Sequence, residues 1–241
     1  MKILAIDTTV KTAAAALVED GKLVAEYSLN TDTHSTTLLP IISSLFAMSG
    51  TAVSDLDLLA VSAGPGSFTG VRIGVSTIKG LAFANNIPCV GVSSLEAMAM
   101  NFTGIPGKIV PVINARNKMV YATVFASDGI HTPERVAEDE QILITDLLER
   151  LKSVNGPIYF TGDACGLVLS ENEKSVHISD IAVTPEKLQN PSGYGVAVAA
   201  EHRWNEEKDQ SLFAESHLAP IYLRKSQAER EREEKLKINI N

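Results

Sequence analysis

The run AGPGSFTGVRIG, Ala63 to Gly74, holds the residues of this chain best suited to chemistry, because it reads as a glycine-rich turn between a buried strand and a helix. Leu58 to Ala63 is apolar enough for a sheet interior. Gly64, Gly66 and Gly70 permit backbone angles that side-chained residues avoid, which leaves amides free at the helix start, and such a terminus holds anions. The turn nevertheless lacks the lysine and hydroxyl of a P-loop, and its glycine spacing is not that of a dinucleotide fingerprint. Ser67 is the nucleophile it offers, but the string is not the G-x-S-x-G elbow and no nearby histidine marks itself as a base. A serine in a tight turn ordinarily makes local hydrogen bonds. Asp7 closes the first apolar run, where a carboxylate either meets a ligand or caps a neighbouring turn. His34, His131, His177, His202 and His217 show no metal-ligand spacing. Cys89 and Cys165 sit far apart in apolar or glycine-flanked settings that suit reduced packing residues.

The elements that must position these residues follow a repeated plan. Residues 2 to 7 are a continuous apolar run, and 13 to 29 read as a hairpin turning at Asp20-Gly21. About one hundred residues on, Lys108 to Ile113 ends at Asn114, and Tyr121 to Ala126 leads into Asp128-Gly129. The first copy continues with helix 34–49 closed by Gly50, strand 57–63, helix 71–85, strand 87–92 and a helix from Ser94. The second continues with helix 144–154, strands 157–162 and 175–179, and helix 193–207 with the sole tryptophan, Trp204. The segment Phe102 to Gly107, with two Gly and one Pro, divides the chain into units over 1–106 and 107–241. The fold class is α/β: two duplicated domains, each a mixed five-stranded sheet flanked by helices.

Composition narrows the classes of function. An apolar share of 45% over 241 residues reads as globular, and no run of about 18 apolar residues marks a membrane span. The N-terminus begins with a strand-like segment rather than a basic and then apolar leader, so a cytoplasmic location is expected. A net charge of −8 repels polyanions, which argues against direct nucleic-acid binding by this chain alone. Arg224 to Lys237 is the basic-leaning stretch. Pairs such as Glu231 with Lys235 and Glu233 with Lys237 favour a solvated terminal helix there.

As a whole string, Ala63 to Gly74 resembles the signature of the TsaB (YeaZ) family, bacterial proteins needed for threonylcarbamoyl modification of adenosine in tRNA. It is joined by Ile3-Leu-Ala-Ile-Asp-Thr-Thr9, by His34-Ser35 with Leu38-Leu39-Pro40, by Ala115-Arg116 through Val120-Tyr121, and by Pro220-Ile-Tyr-Leu-Arg224. The resemblance spans nearly the whole chain, densest before residue 100 and sparse between residues 130 and 215. It implies the actin/hexokinase (RNase H-like) plan, which the duplication matches. There, nucleotide and metal sit between the domains, held by polar residues at the end of each first strand and by glycine-rich turns. Asp7, Gly64, Gly66, Ser67 and Gly70 would be vestiges of that site, while Asn114 replaces the second carboxylate a hard cation prefers. In TsaD, the catalytic relative, two histidines four apart hold the metal; Ser94 and Met98 stand at those positions here. The expectation is a chain with no catalytic residue, no metal and no cofactor of its own.

The helices supply the positive reading. In helix 71–85 Val71, Val75, Ile78 and Ala82 form one stripe, with Leu81 beside it. The opposite side, Ile73, Ser76, Thr77, Gly80, Phe83 and Ala84, is small or apolar, with only Arg72 and Lys79 charged. Gly74 and Gly80 are expected to serve close backbone approach. Helix 34–49 has a wide apolar arc of Leu38, Leu39, Ile41, Ile42, Leu45, Phe46 and Met48. A layer internal to the chain would explain either helix alone. Together, and with the resemblance, they point to a protein interface, because TsaB relatives pair through these two helices with the equivalent helices of TsaD, or with themselves when TsaD is absent. The implied role is a non-catalytic partner of a TsaD-type transferase. That enzyme moves threonylcarbamoyl from an adenylate to N6 of the adenosine following the anticodon in tRNAs that read codons beginning with A. A TsaE-type ATPase joins the assembly, tRNA is reached through the complex, and no membrane is involved. The alternatives are a nucleotide-dependent phosphotransferase using Asp7, and a hydrolase using Ser67.

Overall fold

The computed structural model describes residues 1–223; the helix expected within Arg224 to Lys237 lies outside the described residues. The first apolar run becomes β1 (Lys2–Asp7), followed by β2 (Thr12–Glu19) and β3 (Lys22–Asn30). Their hairpin turns at Asp20 and Gly21, with φ of 48° and 73°, the left-handed pair that an Asp-Gly turn supplies. Next come α1 (His34–Ser49), β4 (Leu58–Gly64), α2 (Phe68–Asn85), β5 (Cys89–Ser93) and α3 (Ser94–Met100). The sheet order is β3-β2-β1-β4-β5, with β1 antiparallel to β2 and parallel to β4. A strand so placed is covered on both faces, which is why β1, β2 and β4 read as unbroken apolar runs rather than alternating ones.

The second copy repeats the layout around β6 (Gly107–Asn114), which pairs antiparallel with β7 (Met119–Ala122) and β8 (Phe125–Ser127). The single strand expected over 121–126 is interrupted at Thr123, whose Oγ1 donates to the Ala137 carbonyl at 2.5 Å. β9 (Glu134–Arg135) then pairs with β8, and β10 (Glu140–Leu143) with β7. α4 (Ile144–Leu151) ends before residue 154 and leads to β11 (Ile158–Thr161), parallel to β6. After α5 (Cys165–Glu171), the strand expected over 175–179 is absent: Asn172–Val176 is a π-helical turn. Asn172 causes this, because its Oδ1 accepts from Ile178 N (2.9 Å) and its Nδ2 donates to Ile178 O (3.2 Å), folding the segment onto itself. The second sheet thus has six strands, ordered β10-β7-β6-β8-β9 with β11 also on β6, rather than the five expected, and a single parallel bridge from Ile158 to Ile181 stands beyond β11.

α1 and α2 cover one face of the first sheet through Leu38, Ile42, Leu45, Val75 and Ile78. Leu38, Ile42 and Leu45, expected at an interface, are instead buried in the chain's own core. The correction follows from helix width: a broad arc must spend its middle on the sheet, leaving only its flanks outside. α3 and α6 (Gly193–Glu206) cover the other face, joined by Ile109 and Phe125 of the second sheet. α6 comes from the second half of the sequence yet docks on the first sheet. Gly193 and Gly195 make this possible: a Cβ would stand 2.5 Å from Ala16 N at the first and 2.1 Å from Ala97 O at the second.

Candidate functional site

A cleft of about 700 Å³ opens between the two sheets. Its walls are the loop after β1 (Thr9 to Lys11), the start of α1 (His34), the Gly66 to Gly70 turn, the end of β6 (Asn114 to Arg116), Asp163, and residues 221–223. α2 begins at Phe68, three residues before the sequence places it, because Ser67 caps it: its Oγ accepts from Gly70 N at 3.3 Å. The glycines of the turn face protein rather than open space. A Cβ at Gly66 would lie 2.5 Å from Thr9 O, one at Gly70 2.0 Å from Thr8 O, and one at Gly64 2.3 Å from Ile221 O. Thr8 Oγ1 donates to Gly70 O (2.7 Å) and Ser67 N to Thr9 O (2.7 Å), so the turn is laced onto the end of β1. Gly64 does not line the cleft.

Asp7 is fully buried and does not line the cleft either. Its Oδ1 accepts from Thr9 N and Thr9 Oγ1, both at 2.8 Å, so it caps the neighbouring turn. Burial pushes its carboxyl above the usual range, against the opposing pull of the nearby Ser62 hydroxyl, Thr9 and His34. Its Oδ2 and the Ser62 hydroxyl each lack a well-aligned partner. In the second copy Asn114 Oδ1 accepts from Arg116 N (2.8 Å), and Asn114 N donates to Asp163 Oδ1 (2.8 Å). Asp163, on the turn between β11 and α5, brings a carboxyl into the cleft; burial raises its pKa. It follows the strand expected over 157–162 and is not among the candidate site residues of the sequence. Arg116, Asn117 and Lys118 follow with φ of 65°, 53° and 60°, three left-handed residues in succession at the cleft wall.

A magnesium–nucleotide pair does not fit these residues. Asp7 is turned inward, the Gly70 and Ser67 amides are bonded to Ser67 Oγ and Thr9 O, and Asp163 belongs to no metal-holding group of acids, histidines or cysteines among the described residues. Ser94 and Met98 are likewise buried structural residues: Ser94 Oγ donates to Pro65 O (2.8 Å), and Met98 packs with Val10, Leu95 and Ile113. His34 Nε2 lies 2.7 Å from Val10 O, so that nitrogen carries the proton toward the carbonyl. No hydrogen bond joins Ser67 to a histidine among the described residues.

Outside the cleft, α1 and α2 share an outward surface. Leu39 is 55% exposed, and Met48 and Phe83 are each 77% exposed. Ser76, Gly80 and Ala84 are exposed beside Phe83, Ile73 and Thr77 are half-buried, and Phe46 leans on the core. α1 carries no Asp, Glu, Lys or Arg, and α2 only Arg72 and Lys79, on a chain whose charged share is 21%. Both cations are bonded within the chain: Arg72 Nε donates to the Tyr222 hydroxyl oxygen (2.9 Å) and Lys79 Nζ to the Leu218 carbonyl (3.1 Å). Gly74 serves close approach inside the chain, since a Cβ there would lie 2.6 Å from Thr8 Oγ1; a Cβ at Gly80 would meet, beyond its own stretch of helix, no atom within 4 Å among the described residues. Tyr222 and Leu218 are absent from the sequence reading as site residues; Tyr222 carried a signal only through the Pro220 to Arg224 string, and Leu218, which precedes it, carried none.

A family model described as TsaD, tRNA N6-adenosine threonylcarbamoyltransferase, matches residues 28–232. The chain is 35% identical over 239 residues to the tRNA threonylcarbamoyladenosine biosynthesis protein TsaB of Bacillus subtilis, covering 95% of this chain and 96% of that protein. The structure of YeaZ from Pseudomonas aeruginosa superposes with a TM-score of 0.72 at 23% identity, over 92% of this chain and 99% of the other. The ADPNP-bound activator of 2-hydroxyisocaproyl-CoA dehydratase from Clostridium difficile matches at a TM-score of 0.52 and 11% identity, over 87% and 99%. These two likenesses establish the fold as the duplicated actin/hexokinase-like plan.

Proposed function

Because this chain belongs to the TsaB (YeaZ) family of tRNA threonylcarbamoyladenosine biosynthesis proteins, we propose that it acts in that modification as the non-catalytic partner of a TsaD-type transferase. The observation that carries this reading is the outward surface of α1 and α2, with Leu39, Met48 and Phe83 exposed and no unbonded charge. A surface of that character favours association, and burying one exposed phenylalanine contributes about 1.5–3 kcal/mol. Leu39, Ile73, Ser76, Thr77, Gly80, Phe83 and Ala84 form the contact, with Phe46 and Arg72 at its edge. Gly80 leaves room for a facing helix to approach closely, as small residues do at tight crossings. A specific pairing of this kind covers about 1,600 Å² in total. Alone, the chain pairs with itself by the same face. A TsaE-type ATPase joins the pair, and tRNA is engaged by the complex rather than by this acidic chain. The metal and the transfer chemistry belong to the transferase, consistent with the inward-turned Asp7 and the capping role of Ser67.

The test is reconstitution of threonylcarbamoyladenosine formation with and without this chain, together with Gly80→Arg. The variant is expected to keep the melting temperature of the isolated protein, since the new side chain enters open space, and to abolish the mixed complex on size-exclusion chromatography. An intact mixed complex would overturn the assignment of this face.

A further inference from the structure

The last described residues form a strap across the first half. Leu218 is buried in the core of the first sheet and packs where Gly91 leaves space, a Cβ there standing 2.8 Å from its Cδ1. Ile221 N donates to Ala63 O (2.6 Å), and the Ile221 carbonyl fills the room beside Gly64. Tyr222 then stacks on Phe68, with ring centroids 5.0 Å apart and 28° between planes. The Arg72 guanidinium lies 3.8 Å from the Phe68 centroid while its Nε donates to the Tyr222 hydroxyl. The Leu218 carbonyl accepts from Lys79 Nζ. The strap thus holds both cations of α2, and they are the only charged residues on α1 and α2.

A cation withdrawn from water loses its hydration and must find other acceptors. Resting on the pairing proposed above, we infer that the strap is a built-in preparation of that face: Tyr222 and the Leu218 carbonyl supply beforehand the acceptors that Arg72 and Lys79 need when the partner excludes water. Tyr222 is therefore a positioning residue that acts through Arg72. Its phenol holds the guanidinium over Phe68, where the ring face adds cation–π attraction. The inference predicts that pairing strength depends on a hydroxyl at residue 222 only while residue 72 carries a charge.

Affinity for the TsaD-type transferase is measured by titration calorimetry for the full chain, Tyr222→Phe, Arg72→Met and the double variant. Melting temperatures of each isolated chain separate folding from pairing. Tyr222→Phe keeps the ring stack but removes the acceptor, and is expected to weaken pairing roughly tenfold, the effect of an unmet hydrogen bond on a charged group. Arg72→Met, at the edge of the face, sets its own reference affinity, and adding Tyr222→Phe to it changes nothing further. Equal losses from Tyr222→Phe in both backgrounds, or no loss in either, overturn the inference. So does loss of pairing in Arg72→Met alone, which would make Arg72 a direct partner contact. Gly80→Arg in the same series keeps the two readings apart: if it pairs normally the face itself is wrong, whereas if only Tyr222→Phe pairs normally the strap alone is.

Discussion

Asp7 ends β1 with a carboxylate, but both bonds of its Oδ1 go to Thr9 and its second oxygen faces Ser62. A buried acid in that position costs stability when charged. The folded state binds the Asp7 proton more tightly than the unfolded state, so its favourable contribution is complete below the ordinary value of 3.8 and is lost as pH rises through the elevated folded value. Asp7→Asn keeps an acceptor for Thr9 and sets an amide nitrogen against the Ser62 oxygen. Its melting temperature at pH 7 is expected to equal or exceed that of the original by the equivalent of about 1 kcal/mol, with a flatter pH dependence between about pH 4 and pH 7. Thermal melts across that range check it. A loss of more than about 2 kcal/mol at neutral pH would show that the charge itself is required. Asp163 follows the same direction and remains in both proteins, so the comparison isolates Asp7.

α2 shows how two glycines of one helix answer to different neighbours. Gly70 is pressed against Thr8 O and Gly80 faces open space. Gly70→Ala must push the first turn of α2 off the end of β1 and is expected to destabilise the isolated chain by about 1–3 kcal/mol. Gly80→Ala relieves the helix of a poor former and is expected to stabilise the isolated chain by about 1 kcal/mol, while weakening pairing if a partner backbone approaches there. Urea titrations of both variants, with size-exclusion chromatography of the second, read these signs. The glycine-rich turn, the hairpins and the helix stripes were legible because they are local: period, caps and turn residues specify them. Which side of an apolar arc faces inward was not, since Leu38 and Leu39 are alike in chemistry and only the sheet decides that the first is buried and the second exposed. The segment 172–178 misled for a related reason. Its apolar Val176 and Ile178 suit a strand, but the Asn172 side chain bonds both backbone groups of Ile178.

Across the whole molecule, the duplication was readable because strand, polar end residue and hairpin recur, whereas contacts made at long range left little trace. Asp163 reaches the cleft from a turn, Tyr222 meets Arg72 across 150 residues, and α6 crosses to the first sheet on two glycines. That crossing has a thermodynamic consequence: without α6, the face of β1 and β2 bearing Ile3, Ala5, Ala16 and Val18 lies bare. A second tie joins the halves at Arg135, whose Nη2 contacts Glu96 Oε2 on α3 (3.2 Å) and whose Nη1 contacts Asp139 Oδ1 (2.5 Å), with its guanidinium 4.8 Å from the Phe125 centroid. The Ser93 hydroxyl closes the network by donating to Asp139. The core under α6 is therefore built from both halves, and although the second half also holds a cluster of its own around Val110, Leu148 and Phe160, the chain is expected to unfold in one cooperative step despite its duplicated plan. Trp204 reports on this directly, because it is the sole tryptophan, sits on α6 and packs on Phe213 with centroids 5.0 Å apart. Urea unfolding followed by Trp204 fluorescence and by far-ultraviolet circular dichroism should give coincident midpoints. Arg135→Met should lower both midpoints together by the equivalent of about 1–3 kcal/mol, and Arg135→Lys should recover only part of the loss, since one ammonium cannot serve two carboxylates and a ring at once. Fluorescence that changes well before the dichroism would mean that α6 leaves a first half able to stand without it.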